Sequence, residues 1–308
     1  MFILMLVLVN RNKVPLINPE DTIFTVPWIL PVLRLDLLLL ENQVPYIVLQ
    51  TLFAKFGLTR VGVSLGRLIL DFFEKSLGIT WTENSLEDVE REVRQPRHLL
   101  HLIRGAIACL SDLKNQIGNS YPTSNTKSSL VLSATKLQLQ GLKFMVAKNA
   151  DTFLDVVLNG NVLMIPPVML DHFMVTFLFN CVALEHCFPA CGDHITTYIV
   201  LMGCLMKEKE DASFICNKGI IDNLFGSDEE ASRFFKDISK SVKLESSSCN
   251  LRFMFQSING YTSRRSIGCN YCGSPWVVAL TIGAVVLLLV AIAQLVVACL
   301  SFGHDLRH

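Results

Sequence analysis

The stretch "DLLLLENQVPYIVLQTLF", Asp36 to Phe53, decides how this chain is read. It is mostly apolar, yet Glu41, Asn42, Gln43 and Pro45 interrupt it. Proline is tolerated in the first turn of a helix, and the residue before it resists helical dihedrals. The spacing therefore predicts a first helix near Val32–Glu41 that ends at the amides. A second is expected from Pro45 to Lys55, stopped by Gly57. Asn42 and Gln43 are placed to satisfy the backbone groups orphaned at such a junction. Arg34, Asp36 and Glu41 make the stretch unsuited to crossing a membrane.

Helical periodicity continues on the C-terminal side. Leu65, Leu68, Ile69, Phe72 and Phe73 form one stripe, and Leu99, Leu102, Ile103, Ala106, Leu110 and Leu113 form another. "SLEDVEREVRQ" between them reads as a solvated helix. "GNSYPTSNTKSS", residues 118–129, reads as a flexible linker. Beyond it, Ser133 is expected to cap a helix carrying Leu137, Gly141 and Phe144. Asn159-Gly160 predicts a β-hairpin over about residues 154–165, pairing Val157 with Val162 and Leu154 with Ile165. Asp171 and Asp193 are expected to cap apolar helices reaching about Cys187 and Met206. Ser227 with Glu230 forms a capping box. The expected fold is mainly α, with one small hairpin and a C-terminal transmembrane helix. Its expected organisation is a first helical part over 1–117, the linker, a second helical part with the hairpin over 130–244, and a juxtamembrane segment over 245–274. The membrane helix is expected over 275–302.

That last expectation comes from composition. Of the 308 residues 51% are hydrophobic and 18% charged, with zero net charge. A sizeable core is available, and no basic face of the kind nucleic acid requires is evident. The uncharged run from Trp276 to Phe302 would reach about 40 Å as a helix, enough for a hydrocarbon core of about 30 Å. The lipid bilayer is thus an expected partner, with a post-translationally inserted tail anchor. Arg264 and Arg265 ahead of the run, against Arg307 behind it, predict a cytosolic N-terminal domain. The plasma membrane is the expected location and the endoplasmic reticulum the alternative. "MFILMLVLV" is too short to span and lacks the features of a signal peptide.

Candidate chemistry is sparse. Gly62-Val63-Ser64-Leu65-Gly66 matches the nucleophile elbow of serine hydrolases, which needs a preceding strand and a parallel sheet. A loop followed by a helix start is the plainer reading. Cys187, Cys191 and His194 have spacing that can hold zinc, but Pro189 breaks their geometry, and buried thiols beside a loop explain them as well. Cys269 and Cys272 are candidates for lipidation beside the membrane. His98 and His101 are expected on a helix surface. No cofactor motif is present, so neither catalysis nor a cofactor is expected.

The opening stretch resembles the signature of the plant family known as domain of unknown function 247, with Leu40, Glu41, Asn42, Gln43 and Pro45 as its motif. "SATKLQLQGLKF", "VLMIPPVMLD", "FNCVALEHC", "ITTYIVLM" and "NKGIIDNLFGSDEEASRFF" follow in that family's order. The resemblance implies a single-pass membrane protein without established catalysis, and a recognition role for some members. Against the usual pattern the chain is shortened ahead of the motif. Residues 245–274 also lack the aromatic, Arg-rich helix usual before the anchor. An unidentified protein partner is expected; oligomeric state is left open.

Overall fold

The computed structural model describes residues 26–55, 62–118, 132–242, 254, 257–261 and 283–294. The chain divides into two compact units, Met1–Asn259 and Gly260–His308.

In the first unit, α1 (Ile29–Asp36) is followed by a 3-10 turn at Leu40–Asn42 and by α2 (Tyr46–Lys55). The first helix stops short of the expected Glu41. Helix α3 (Leu65–Leu77) buries all five residues of its expected stripe, with Phe73 at 0% exposure. Each such side chain contributes about 1.5–3 kcal/mol on leaving water. Thr82 caps α4 (Glu83–Glu92), which packs on α5 (Leu99–Gly118).

The second half departs from the expected single hairpin. After α6 (Ala134–Leu139), Gly141 takes a positive φ of 85°, and Phe144 lies in strand β1 (Lys143–Val146) rather than on a helix. Strands β2 (Val157–Asn159) and β3 (Val162–Ile165) form the hairpin, and β1 runs parallel to β3 on its other side. Val157 faces Met164, not Val162, and Leu154 lies outside the strand. The turn centres on Gly160-Asn161 because Gly160 takes the left-handed conformation that opens such a turn (φ 58°). Pro166-Pro167 ends β3. Strand β4 (Val168–Leu170) then pairs in parallel with the distant β5 (Ile221–Asn223), a second small sheet.

Helix α7 (His172–Cys187), capped by Asp171, is the hub of this unit. It packs against α1, the Leu40–Asn42 turn, α3, α5, β4 and the following helix α8 (His194–Leu205). After α9 (Lys209–Asn217), α10 (Asp228–Ser241) starts in the expected Ser227–Glu230 capping box. Helix α10 lies so close to α8 that a Cβ on Gly203 would sit 2.7 Å from the Phe235 carbonyl.

The expected C-terminal transmembrane helix is overturned. Among the described residues no helix is long and apolar enough to cross a membrane. Of the run from Trp276 to Phe302, residues 283–294 are described, as an exposed helix of about 18 Å. A run without charge is compatible with a span but does not by itself establish one. Gly118 closes α5 rather than opening a linker; the rest of the expected linker, 119–129, lies outside the described residues, as do Gly57, Cys269 and Cys272.

Candidate functional site

The interrupted stretch folds into a clamp. The Gln43 Nε2 donates to the carbonyls of Leu37 and Leu39, both at 2.8 Å, where α1 has run out of partners. Its Oε1 accepts from the Leu100 amide at 2.9 Å, in the first turn of α5. The His98 Nδ1 lies 3.2 Å from the same oxygen and 3.2 Å from the His101 amide. These two contacts are alternatives: with its proton on Nδ1 the ring donates to Gln43, and without it the ring accepts from His101. Asn42 donates to the Asp36 carbonyl at 3.1 Å. The Leu40 amide donates to Asn180 on α7 at 2.7 Å, and the Tyr46 amide to the Arg97 carbonyl at 2.8 Å. Pro45 forms a β-bridge with His98. One motif thus ties α1, α2, α5 and α7, using neutral groups to satisfy orphaned backbone.

The clamp fixes the pose of α2, whose sequence is largely apolar although only Tyr46 and Phe53 are buried. Val44, Ile47, Val48, Gln50, Thr51 and Ala54 face outward, uncharged throughout. Ile47 is 67% exposed. Thr51 turns its hydroxyl onto the Ile47 carbonyl at 2.8 Å. No charge occurs between Glu41 and Lys55.

A second polar cluster lies between α5, α7 and α8. Buried Arg104 donates through Nε to the buried Glu185 carboxylate at 2.7 Å. It also donates to the Cys191 carbonyl, and to His194 Nδ1 at 2.9 Å. His194 therefore carries its proton on Nε2, which donates to Asp112 at 3.0 Å. Glu185 in turn accepts from the Ile195 and Thr196 amides at 3.1 and 2.8 Å, and from the Thr196 hydroxyl at 2.7 Å. A carboxylate at the start of α8 is favoured by the helix dipole as well as by these donors. Burial opposes the charge on Arg104, but Glu185 and its hydrogen bond outweigh it, so the guanidinium titrates above its ordinary range. Next to it, Arg97 stacks over the Phe188 ring at 3.7 Å. Burial, reinforced by His98, Arg104 and Arg97, pushes the His101 pKa down to about 4. Burial likewise pushes the Cys191 thiol up and Cys181 far up, the opposite of what a nucleophile or a metal ligand needs.

A family model described as a plant protein of unknown function, domain of unknown function 247, matches residues 1–290. A UPF0481 protein of Arabidopsis thaliana is 36% identical over 328 residues, an alignment covering 99% of this chain and 67% of that relative. The chain belongs to this plant family. No solved structure matches it significantly.

In this family member Ser64 caps α3. Its oxygen accepts from the Arg67 amide at 3.1 Å and its hydroxyl donates to Glu90. Its φ of −72° and ψ of 153° are ordinary extended values, without the strain of a nucleophile elbow. Cys187 is exposed and ends α7, Cys191 lies in a 3-10 turn, and both ring nitrogens of His194 are engaged. Among the described residues no group of three or more His, Cys, Asp or Glu is placed to hold a metal. His98 and His101 are half-buried rather than on an open helix surface. Sequence reasoning missed the Arg104–Glu185 pair, whose partners stand 81 residues apart.

Proposed function

We propose that this chain is a protein-interaction module that acts without catalysis, docking a partner helix along the outer face of α2. The observation that carries this reading is the rigidly held, uncharged and exposed row of Val44, Ile47 and Val48. Depletion of charge with retained apolar area marks the centre of protein interfaces. The spacing of the row matches what a helix lying alongside would cover. Helix α4, also at the surface, carries instead the Glu87–Arg91 and Asp88–Arg91 pairs of a solvated face. The absence of catalysis is supported by how the reactive side chains are used: Ser64 caps a helix, and His194 bridges Arg104 to Asp112.

The test is proximity labelling in plant cells with three forms of the chain. These are the wild type, the Ile47→Asp/Val48→Asp variant, and a control carrying Glu87→Lys on α4. The reading expects neighbours common to wild type and control that the α2 variant loses at equal abundance. An identical set of neighbours for all three contradicts it.

A further inference from the structure

A cleft of about 500 Å³ lies among α1, the C-terminal end of α3, the β1–β2 connection, the β3–β4 turn and the start of α7. Its volume falls in the range of small-molecule sites rather than of macromolecular grooves. Arg34, Lys75 and Lys148 line it. None of these three side chains has an ion-pair partner among the described residues.

Arg34 is the informative one. Its guanidinium lies over the Phe72 ring, 4.8 Å from the centroid. Its Nε is closed off from solvent and has no hydrogen-bond partner among the described residues. Burial lowers its pKa, and no acid among the described residues raises it. A part-buried cation without a counter-charge is costly unless an anion completes the site. The acids on the cleft wall do not do this. The Asp171 carboxylate accepts from the Met174 amide at 2.8 Å as the cap of α7, and Asp151 has a partner of its own. Between the cations the wall mixes polar groups with apolar ones: Pro31, Pro167 and Met169 are exposed there, and Phe173 partly so.

We propose that this cleft binds a small organic anion, a carboxylate or phosphate carried on a flat apolar body. Arg34 supplies a planar, directional donor for the anion. Lys75 and Lys148, both exposed, supply point charges at the rim, and the prolines and Met169 take the apolar body.

Calorimetric titration of the full chain tests this with three probes that share one ring system: 1-naphthoate, 1-naphthyl phosphate and the neutral 1-naphthalenemethanol. At least one anion is expected to bind one-to-one, and the neutral probe about tenfold more weakly or worse. Comparison of the two anions distinguishes carboxylate from phosphate. Arg34→Met, which keeps the contact with Phe72, is expected to weaken the preferred anion about tenfold, the loss of one charge-assisted contact. If that variant melts early, the Lys75→Gln/Lys148→Gln double variant decides, since both side chains are exposed; it is expected to weaken the anion several-fold at an unchanged melting temperature. The proposal is overturned if neither anion binds at millimolar concentration, if the neutral probe binds equally well, or if the folded variants bind as the wild type does. A penta-glutamate peptide binding more tightly than both anions overturns the small-molecule assignment.

Discussion

The molecule holds α5 in place by two polar clusters built on opposite principles. At the N-terminal end of that helix, Gln43 uses a neutral amide to satisfy backbone groups of α1 and α5. Farther along, Arg104 and Glu185 bury opposite charges and gather the start of α8 around them. The amide costs little to bury and its loss leaves only backbone unsatisfied. The ion pair is costly to bury, so its loss leaves a bare charge in a closed core. The first gives a tie that is local and tolerant. The second gives a tie that fails abruptly when either member is removed.

The largest effect is expected at the charged cluster. Arg104→Met leaves Glu185 without its cation and should cost about 3–5 kcal/mol in urea unfolding. Glu185→Gln should cost about as much. Because the residues form one network, the double variant should lose clearly less than the sum, and simple additivity would show the pair is not coupled. Gln43→Leu comes next, at about 2 kcal/mol, since it strands the Leu37 and Leu39 carbonyls and the Leu100 amide in a partly solvated setting. Gln43→Glu should be worse than Leu, because it turns a carboxylate toward two carbonyls. Ser64→Ala, which removes the cap of α3, should cost about 1 kcal/mol.

A separate effect is a pH dependence. In the folded chain His101 resists protonation down to about pH 4, held neutral by burial and neighbouring cations. The unfolded chain takes up that proton below about pH 6.5. Its contribution is therefore complete above pH 6.5 and declines as pH falls toward 4. Urea midpoints at pH 7 and pH 5 should differ in that direction, and His101→Gln should narrow the difference. An unchanged difference would separate His101 from the effect.

How legible these features were follows from their reach along the chain. The donors of Gln43 act four and six residues back, so the Leu-Glu-Asn-Gln-Val-Pro order announces a helix junction. Its acceptor serves Leu100, 57 residues on, which no local pattern betrays. Arg104 sits in "LLHLIRGAIACL", where a single arginine reads as a charge at the edge of an apolar stripe. Its burial becomes evident only when Glu185 arrives from α7. The caps at Asp171 and Ser227 were legible because capping is local. The parallel pairings of β1 with β3 and of β4 with β5 were not, since short strands gain their partners from distant segments. Helix α2 is largely apolar, and sequence alone does not say which face stays open. The uncharged run near the C-terminus predicted a membrane helix from length without charge, and the described helix there is too short to cross.

The most direct test of the clamp is amide hydrogen exchange on the wild type and Gln43→Leu. The Leu100 amide bonds to Gln43 itself, and the Tyr46 amide bonds across the junction to Arg97. Both should lose protection in the variant, while amides of β3 and α8 keep theirs. Unchanged exchange at Leu100 and Tyr46, or a uniform loss across the fold, would contradict the account of this motif as the tie that holds α2 in place.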